Sequence, residues 1–280
     1  MRKLLYITAM LLLCGVVNAV AQPRIPGAST TQTIIQDFGL GKISITYSRP
    51  NVKGRKIFGG LQPYGEVWRT GANAATNITF SENVIIEGNK VPAGTYGFFS
   101  IPTAGDWTII LNKTSHQWGA YSYKQADDLL RFTVKPMAVP DKFETFTIAF
   151  MNVTTKSAEL DLLWENTIVP IQMQTDDDAQ VVANIDTLMQ KDPKRNAFNS
   201  IQYYYENDKD LKKALAWAEQ AQKEDAKDPY YILWVARIKL KMGDKAGAIE
   251  AAQQGIQLAK DAKDDEYQRL NQMVLDKAKG

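Results

Sequence analysis

The chain has 280 residues, with 33 Lys and Arg against 31 Asp and Glu and a formal net charge of +2. That balance gives no electrostatic footprint for nucleic acid, and after the first apolar run nothing is long enough to span a bilayer. A single Cys and a single His exclude Cys-ligated and His-rich metal centres and a disulfide framework.

Residues 1–21 read as a secretory signal, with Arg2 and Lys3 as the positive start, Leu4 to Val17 as the apolar stretch and Ala19-Val20-Ala21 as the cleavage site. The mature chain is expected to begin at Gln22, in the periplasm or outside the cell. Cys14 follows Leu11-Leu12-Leu13 rather than a small residue, which argues against lipidation. Cleavage removes that cysteine and with it any thiolate nucleophile. The remaining length suits two domains, each folding on its own core.

Residues 22–174 read as an antiparallel β-sandwich. Pro23 to Thr31 is a Pro/Gly/Ser/Thr-rich leader, and strand signals begin where Ile43, Ile45 and Tyr47 alternate with Ser44, Thr46 and Ser48. Further strands are expected near 76–80, 83–87, 95–101, 107–112, 129–136, 144–151, 157–164 and 167–173. Turns are expected at Glu87-Gly88-Asn89, Pro92-Ala93-Gly94, Ala104-Gly105-Asp106 and Val139-Pro140-Asp141. Short strands at this spacing, with no helical pattern between them, indicate a sandwich or barrel, and nothing marks the sheet as closed.

Two loops carry the chemistry. Tyr47 to Asn73 has Gly at 54, 59, 60, 65 and 71, Pro at 50 and 63, and between them Arg49, Lys53, Arg55, Tyr64, Glu66, Trp68 and Arg69. A long loop with this many aromatics has something to pack on and is a binding-surface candidate. Asn112 to Tyr123 holds His116, Gln117, Trp118 and Tyr121. If both loops lie at one end of the sheets they form one cleft rich in Trp, Tyr and Arg.

The segments YSRPNVKGRKIFGGLQPYGEVWRTGAN, VPAGTYGFFSIP, DWTIILNK and QWGAYSY resemble a secreted bacterial family, domain of unknown function 2911, over about residues 28–172. The resemblance implies a secreted or periplasmic β-rich protein and carries no activity. Its motif positions fall on Arg49, Lys53, Gly54, Arg55, Tyr64, Gly65, Trp68, Arg69, Gly71, Asn73, Gln117, Trp118, Gly119 and Tyr121. It also makes the Asn-x-Thr triplets at Asn77, Asn112 and Asn152 coincidental as glycosylation sites.

From residue 175 to 280 the period changes from two to 3.6, as in Val181, Val182, Ile185, Leu188 and Met189. Asp192-Pro193 and Asp228-Pro229 mark helix starts. Asp210, Ala214-Leu215, Ala218 and Ala221 recur as Asp244, Ala248-Ile249, Ala252 and Gly255, an offset of 34 residues. That is the tetratricopeptide period. The expected fold is therefore α+β in two domains, a sandwich followed by an all-α, tetratricopeptide-like array of helical hairpins with a capping helix.

Each candidate site residue has two readings. Arg49, Arg55 and Arg69 either build an anion pocket or pin the loop by bonding backbone carbonyls and Glu66. Trp68, Trp118, Tyr64 and Tyr121 either form a stacking platform or belong to the core. Lys53, Asn73 and Gln117 complete the ligand-binding candidates. His116 beside Ser115 is not a triad without an apposed nucleophile and an orienting acid, and Glu66 with Asp37 is a carboxylate pair of unfixed separation. Asp176-Asp177-Asp178 lacks the spacing of a calcium loop and reads as a solvated helix start. No metal and no cofactor are expected. The leading expectation is a non-enzymatic extracytoplasmic binding protein, with a small polar, anionic or glycan ligand on the sandwich and a protein partner on the helical tail. The alternative is a hydrolase of envelope carbohydrate or peptide working near Glu66 and His116.

Overall fold

The computed structural model describes residues 25–280, and the segment read as a signal lies outside them, with Cys14 and the expected cleavage point. The chain divides into two compact units, one ending at Asp176 and one running from Asp177 to Gly280.

The first unit is two antiparallel sheets. Six strands lie in the order β1 (Thr30–Phe38), β2 (Gly41–Arg49), β3 (Thr76–Phe80), β6 (Gly94–Ile101), β7 (Trp107–Asn112) and β8 (Asp128–Val134). The second sheet runs β5 (Asn89–Val91), β4 (Val84–Ile86), β10 (Ser157–Thr175) and β9 (Met137–Met151). Alternation sets the faces. Ile43, Ile45 and Tyr47 of β2 are buried while Ser44 and Thr46 are half-buried. They meet Phe146, Ile148, Leu160, Leu162 and Trp164 of the facing sheet in one core. At its centre Trp68 stacks on Trp164, centroids 5.6 Å apart, and Phe58 meets Trp107 edge-on at 4.6 Å. A smaller cluster of Ala75, Phe99 and Ile110 lies apart from this core, covered by Val67, Ala120 and Tyr123. Strand β6 is consequently buried on successive residues from Tyr96 to Ser100.

Three strand expectations change. The leader ends earlier, because β1 begins at Thr30 and pairs with β2 along its whole length. Its residues are mostly exposed or half-buried, so ladder bonds define it rather than burial. Val139-Pro140-Asp141 is not a turn but part of β9. That strand is at the sheet edge, where Pro is tolerated, and all three carbonyls accept from Asn166 Nδ2 at 3.1–3.2 Å. The two strands expected at 157–164 and 167–173 form one element with a reversal inside it. Its register breaks between Leu163 and Thr167, Glu165 has φ +54°, and Thr175 N–H bonds back to Lys156 O at 2.9 Å.

The second unit is six helices: α1 (Asp178–Lys191), α2 (Pro193–Glu206), α3 (Leu211–Glu224), α4 (Pro229–Lys241), α5 (Lys245–Ala262) and α6 (Asp265–Lys279). Asp210 and Asp244, 34 residues apart, both cap their helices, accepting from Lys212 and Lys213 N–H and from Gly247 N–H respectively. The small residues that follow (Ala214, Ala218, Ala248, Ala252) are fully buried, so backbones pack closely on them. Helix α1 is tied to the hairpin after it, since Asp186 accepts from Tyr204 OH at 2.6 Å and from Lys213 Nζ at 2.9 Å. Its start is more than a solvated turn, because Asp178 accepts from Tyr203 OH and pairs with Lys209. Among the described residues no helix is long and apolar enough to cross a membrane.

Candidate functional site

The loop between β2 and β3, residues 50–75, is anchored to both sheets. At its start Val52 N–H bonds Glu144 O at 2.7 Å and Phe146 N–H bonds Pro50 O at 2.8 Å, both on β9. Farther on, Trp68 and Ser100 of β6 exchange two backbone bonds of 2.7 and 2.9 Å. Val52, Ile57, Phe58 and Trp68 push inward into the core. Apolar residues every few positions therefore hold down a segment whose glycines and prolines forbid regular structure.

The loop between β7 and β8 lies against it. Ala75 N–H donates to Gln117 O and Gly119 N–H to Asn73 O, both at 3.0 Å. Gly119 has φ +66°, and a Cβ there would stand 3.0 Å from Arg69 Nη1 and 2.8 Å from the Tyr121 ring. Only glycine lets this loop close over the arginine.

The three arginines part company. Arg49 donates from Nε to Phe146 O at 3.1 Å and from Nη2 to Thr147 Oγ1 at 2.7 Å. Arg55 donates to Val52 O at 3.0 Å and to Asn51 O at 2.6 Å. These two pin backbone and side chain, as the plainer reading expected, although neither uses Glu66. Arg69 is different: its Nε is buried without a hydrogen-bond partner. Arg69 is one of the residues lining a cavity of about 330 Å³, with Asn51, Lys53, Arg55, Gln62, Asn73 and Trp164. No carboxylate lines that cavity among the described residues. The neighbouring acids are engaged with backbone amides, Glu144 with Lys53 N–H at 2.8 Å and Glu165 with Ile57 N–H at 3.3 Å.

The aromatics also divide. Trp68 is 4% exposed and its Nε1 donates to Gly71 O at 3.0 Å, so it belongs to the core and not to a stacking surface. Trp118 and Tyr121 are 66% and 85% exposed, and Tyr64 is 45% exposed, beside Gly59. Trp118 borders a second, open groove of about 420 Å³ with Thr31, Thr46, Asn73 and Asn77. Asn73 thus lies between the two depressions, its Nδ2 donating to Ser29 O and Ser48 Oγ at 3.2 and 3.3 Å. Gln117 Nε2 donates to Thr114 O at 3.0 Å. His116 and Glu66 are exposed and neither is bonded to another described side chain. Asn112 is fully buried, so its Asn-x-Thr triplet is inaccessible in the folded protein. The sequence reading missed Trp164 at the cavity: its alternation with Leu160 and Leu162 signals core and says nothing about where the indole N–H points.

These features define a β-sandwich with a loop-built polar cavity, continued by an array of helical hairpins. The chain belongs to the family described as protein of unknown function (DUF2911), whose model matches residues 29–173, from just before β1 almost to the end of β10. Comparison with curated proteins and comparison with solved structures each found no match.

Proposed function

We propose that this protein is a non-enzymatic extracytoplasmic binding module, taking a small polar ligand in the cavity beside Arg69 and a protein partner on the helical unit. The observation that carries the ligand half is the Arg69 guanidinium, gathered under two loops with its Nε unpartnered while Arg49 and Arg55 are bonded to protein acceptors. A concave polar site with a few convergent groups is the usual form of a small-molecule site. The partner half rests on the 34-residue recurrence and its helical hairpins, an architecture that commonly presents a protein-binding surface. Phe198 and Met273 are 42% and 57% exposed on it. No observation favours the hydrolase reading, since His116 and Glu66 are solvent-exposed and unconnected.

A thermal-shift screen of the chain from Gln22 against anions, sugars and short peptides tests the ligand half. A ligand at 100 times its Kd stabilises the fold by about 2.7 kcal/mol. Arg69→Ala is expected to keep most of the baseline stability and abolish the shift. Arg49→Ala is expected to lower baseline stability by about 1–3 kcal/mol, having lost two bonds from a charged donor. The reverse pattern, with Arg69→Ala unfolding the protein and no compound shifting the wild type, would remove the cavity from consideration.

A further inference from the structure

Two of the residues that line the cavity carry buried donors without acceptors. Arg69 Nε and Trp164 Nε1 both belong to residues lining it, both atoms are buried, and neither has a hydrogen-bond partner. Trp164 is 1% exposed. An indole N–H and a guanidinium donate and never accept, and buried donors in folded proteins are otherwise almost always bonded. The indole is also held firmly. Its ring stacks on Trp68 and meets Phe58 and Phe146 at centroid distances of 5.6 to 6.0 Å, so its N–H cannot swing away to find another acceptor.

We propose that the cavity is an oxyanion site, in which one carboxylate or phosphate group of a small molecule accepts from Arg69 Nε and Trp164 Nε1 together. This rests on the reading of the cavity as a ligand site and names the chemistry that fits it. Charge decides between an anion and a neutral acceptor. Lys53, Arg55 and Arg69 line the space, no carboxylate does among the described residues, and Glu144 and Glu165 are already engaged with backbone N–H groups. A neutral carbonyl or hydroxyl would satisfy the two donors and leave the cation beside them uncompensated. An oxyanion does both, through charge-assisted bonds. Lys53, exposed at the rim, adds attraction that salt screens. Gln62, Asn51 and Asn73 are left to read the uncharged remainder of the molecule.

The test is calorimetric and thermal-shift titration of the chain from Gln22 with three sugars of one scaffold: glucose, glucuronate and glucose 6-phosphate, with acetate and inorganic phosphate as minimal anions. At least one anion is expected to bind saturably, more weakly as salt rises, and to change the tryptophan fluorescence. Arg69→Gln and Trp164→Phe are each expected to weaken it by roughly tenfold or more, the loss of one good hydrogen bond to a charged group. Lys53→Gln, on the exposed rim, keeps the fold and should weaken binding by a few-fold while flattening the salt dependence. Carboxylate and phosphate arms tell the two anion sources apart. Binding of glucose as tight as glucuronate and indifferent to Arg69→Gln would overturn the oxyanion assignment while leaving a ligand site in place. No response to any anion at millimolar concentration, with Lys53→Gln indistinguishable from wild type, overturns it as well. In that case a response to neutral sugars or peptides alone separates failure of the anion chemistry from failure of the ligand-site reading.

Discussion

Asp161 shows how one side chain imposes a pH dependence on the sandwich. It is on β10, 6% exposed, and its Oδ1 has no partner. Burial, and then the neighbouring Glu159, push its pKa up to about 6. Glu159 is itself held by Gln172 Nε2 at 2.5 Å and Asn152 Nδ2 at 3.3 Å, which keeps the second carboxylate close. An ordinary aspartate titrates near 3.9, so the folded state favours the protonated form. The stability tied to that proton is fully present below about pH 4 and is lost as pH rises through about 6. Asp161→Asn keeps the shape and removes the titration. Melts across this range should show the variant more stable than wild type near neutral pH, by up to about 3 kcal/mol, with the difference closing by about pH 4. A difference that does not change with pH would mean that Asp161 is not the group responsible.

Among the elements, the α5–α6 pair depends on a glycine that helix propensity alone would replace. Gly255 lies in α5, and a Cβ there would come within 2.2 to 2.8 Å of three side-chain atoms of Asn271 on α6. Asn271 is fully buried, and its Nδ2 donates to Tyr267 O at 2.9 Å, so it has little room to move aside. Ala is favoured over Gly in a helix by about 1 kcal/mol, whereas overpacking a buried contact costs about 1–3 kcal/mol. Gly255→Ala is therefore expected to lower the denaturant midpoint, despite the gain in propensity. An unchanged or raised midpoint would show that α6 can shift. The same recurrence puts Ala221 at the corresponding position of α3, where a methyl is accommodated.

At the level of the whole molecule each unit has its own apolar core, one of sandwich residues and one of helical residues from Met189 to Leu275. A unit with a core of its own can fold alone. Residues 177–280 produced separately are expected to be helical by circular dichroism and to melt cooperatively. Removing α1 as well should weaken that transition, because the Asp186 bonds to Tyr204 and Lys213 go with it. A broad, non-cooperative melt of residues 177–280 would mean that the helical unit needs the sandwich.

Local pattern alone determined the class of each half. Period two at Ile43 to Tyr47 and at Leu160 to Trp164 required strands, and the Asp caps with small residues 34 apart required paired helices. These properties are carried by neighbours in the chain and survive without knowing the fold. Strand β1 escaped that reading because TTQTIIQDF has almost no alternation; its register comes from the partner strand. The candidate loops stood out in the sequence through their arginines and aromatics, but the role of each side chain did not. Arg49 and Arg55 find acceptors, Trp68 enters the core, and Arg69, its Nε unpartnered, lines a cavity together with a tryptophan almost a hundred residues away. Whether a donor is satisfied depends on groups brought together from distant strands and loops, so only the tertiary structure decided which of these donors found acceptors.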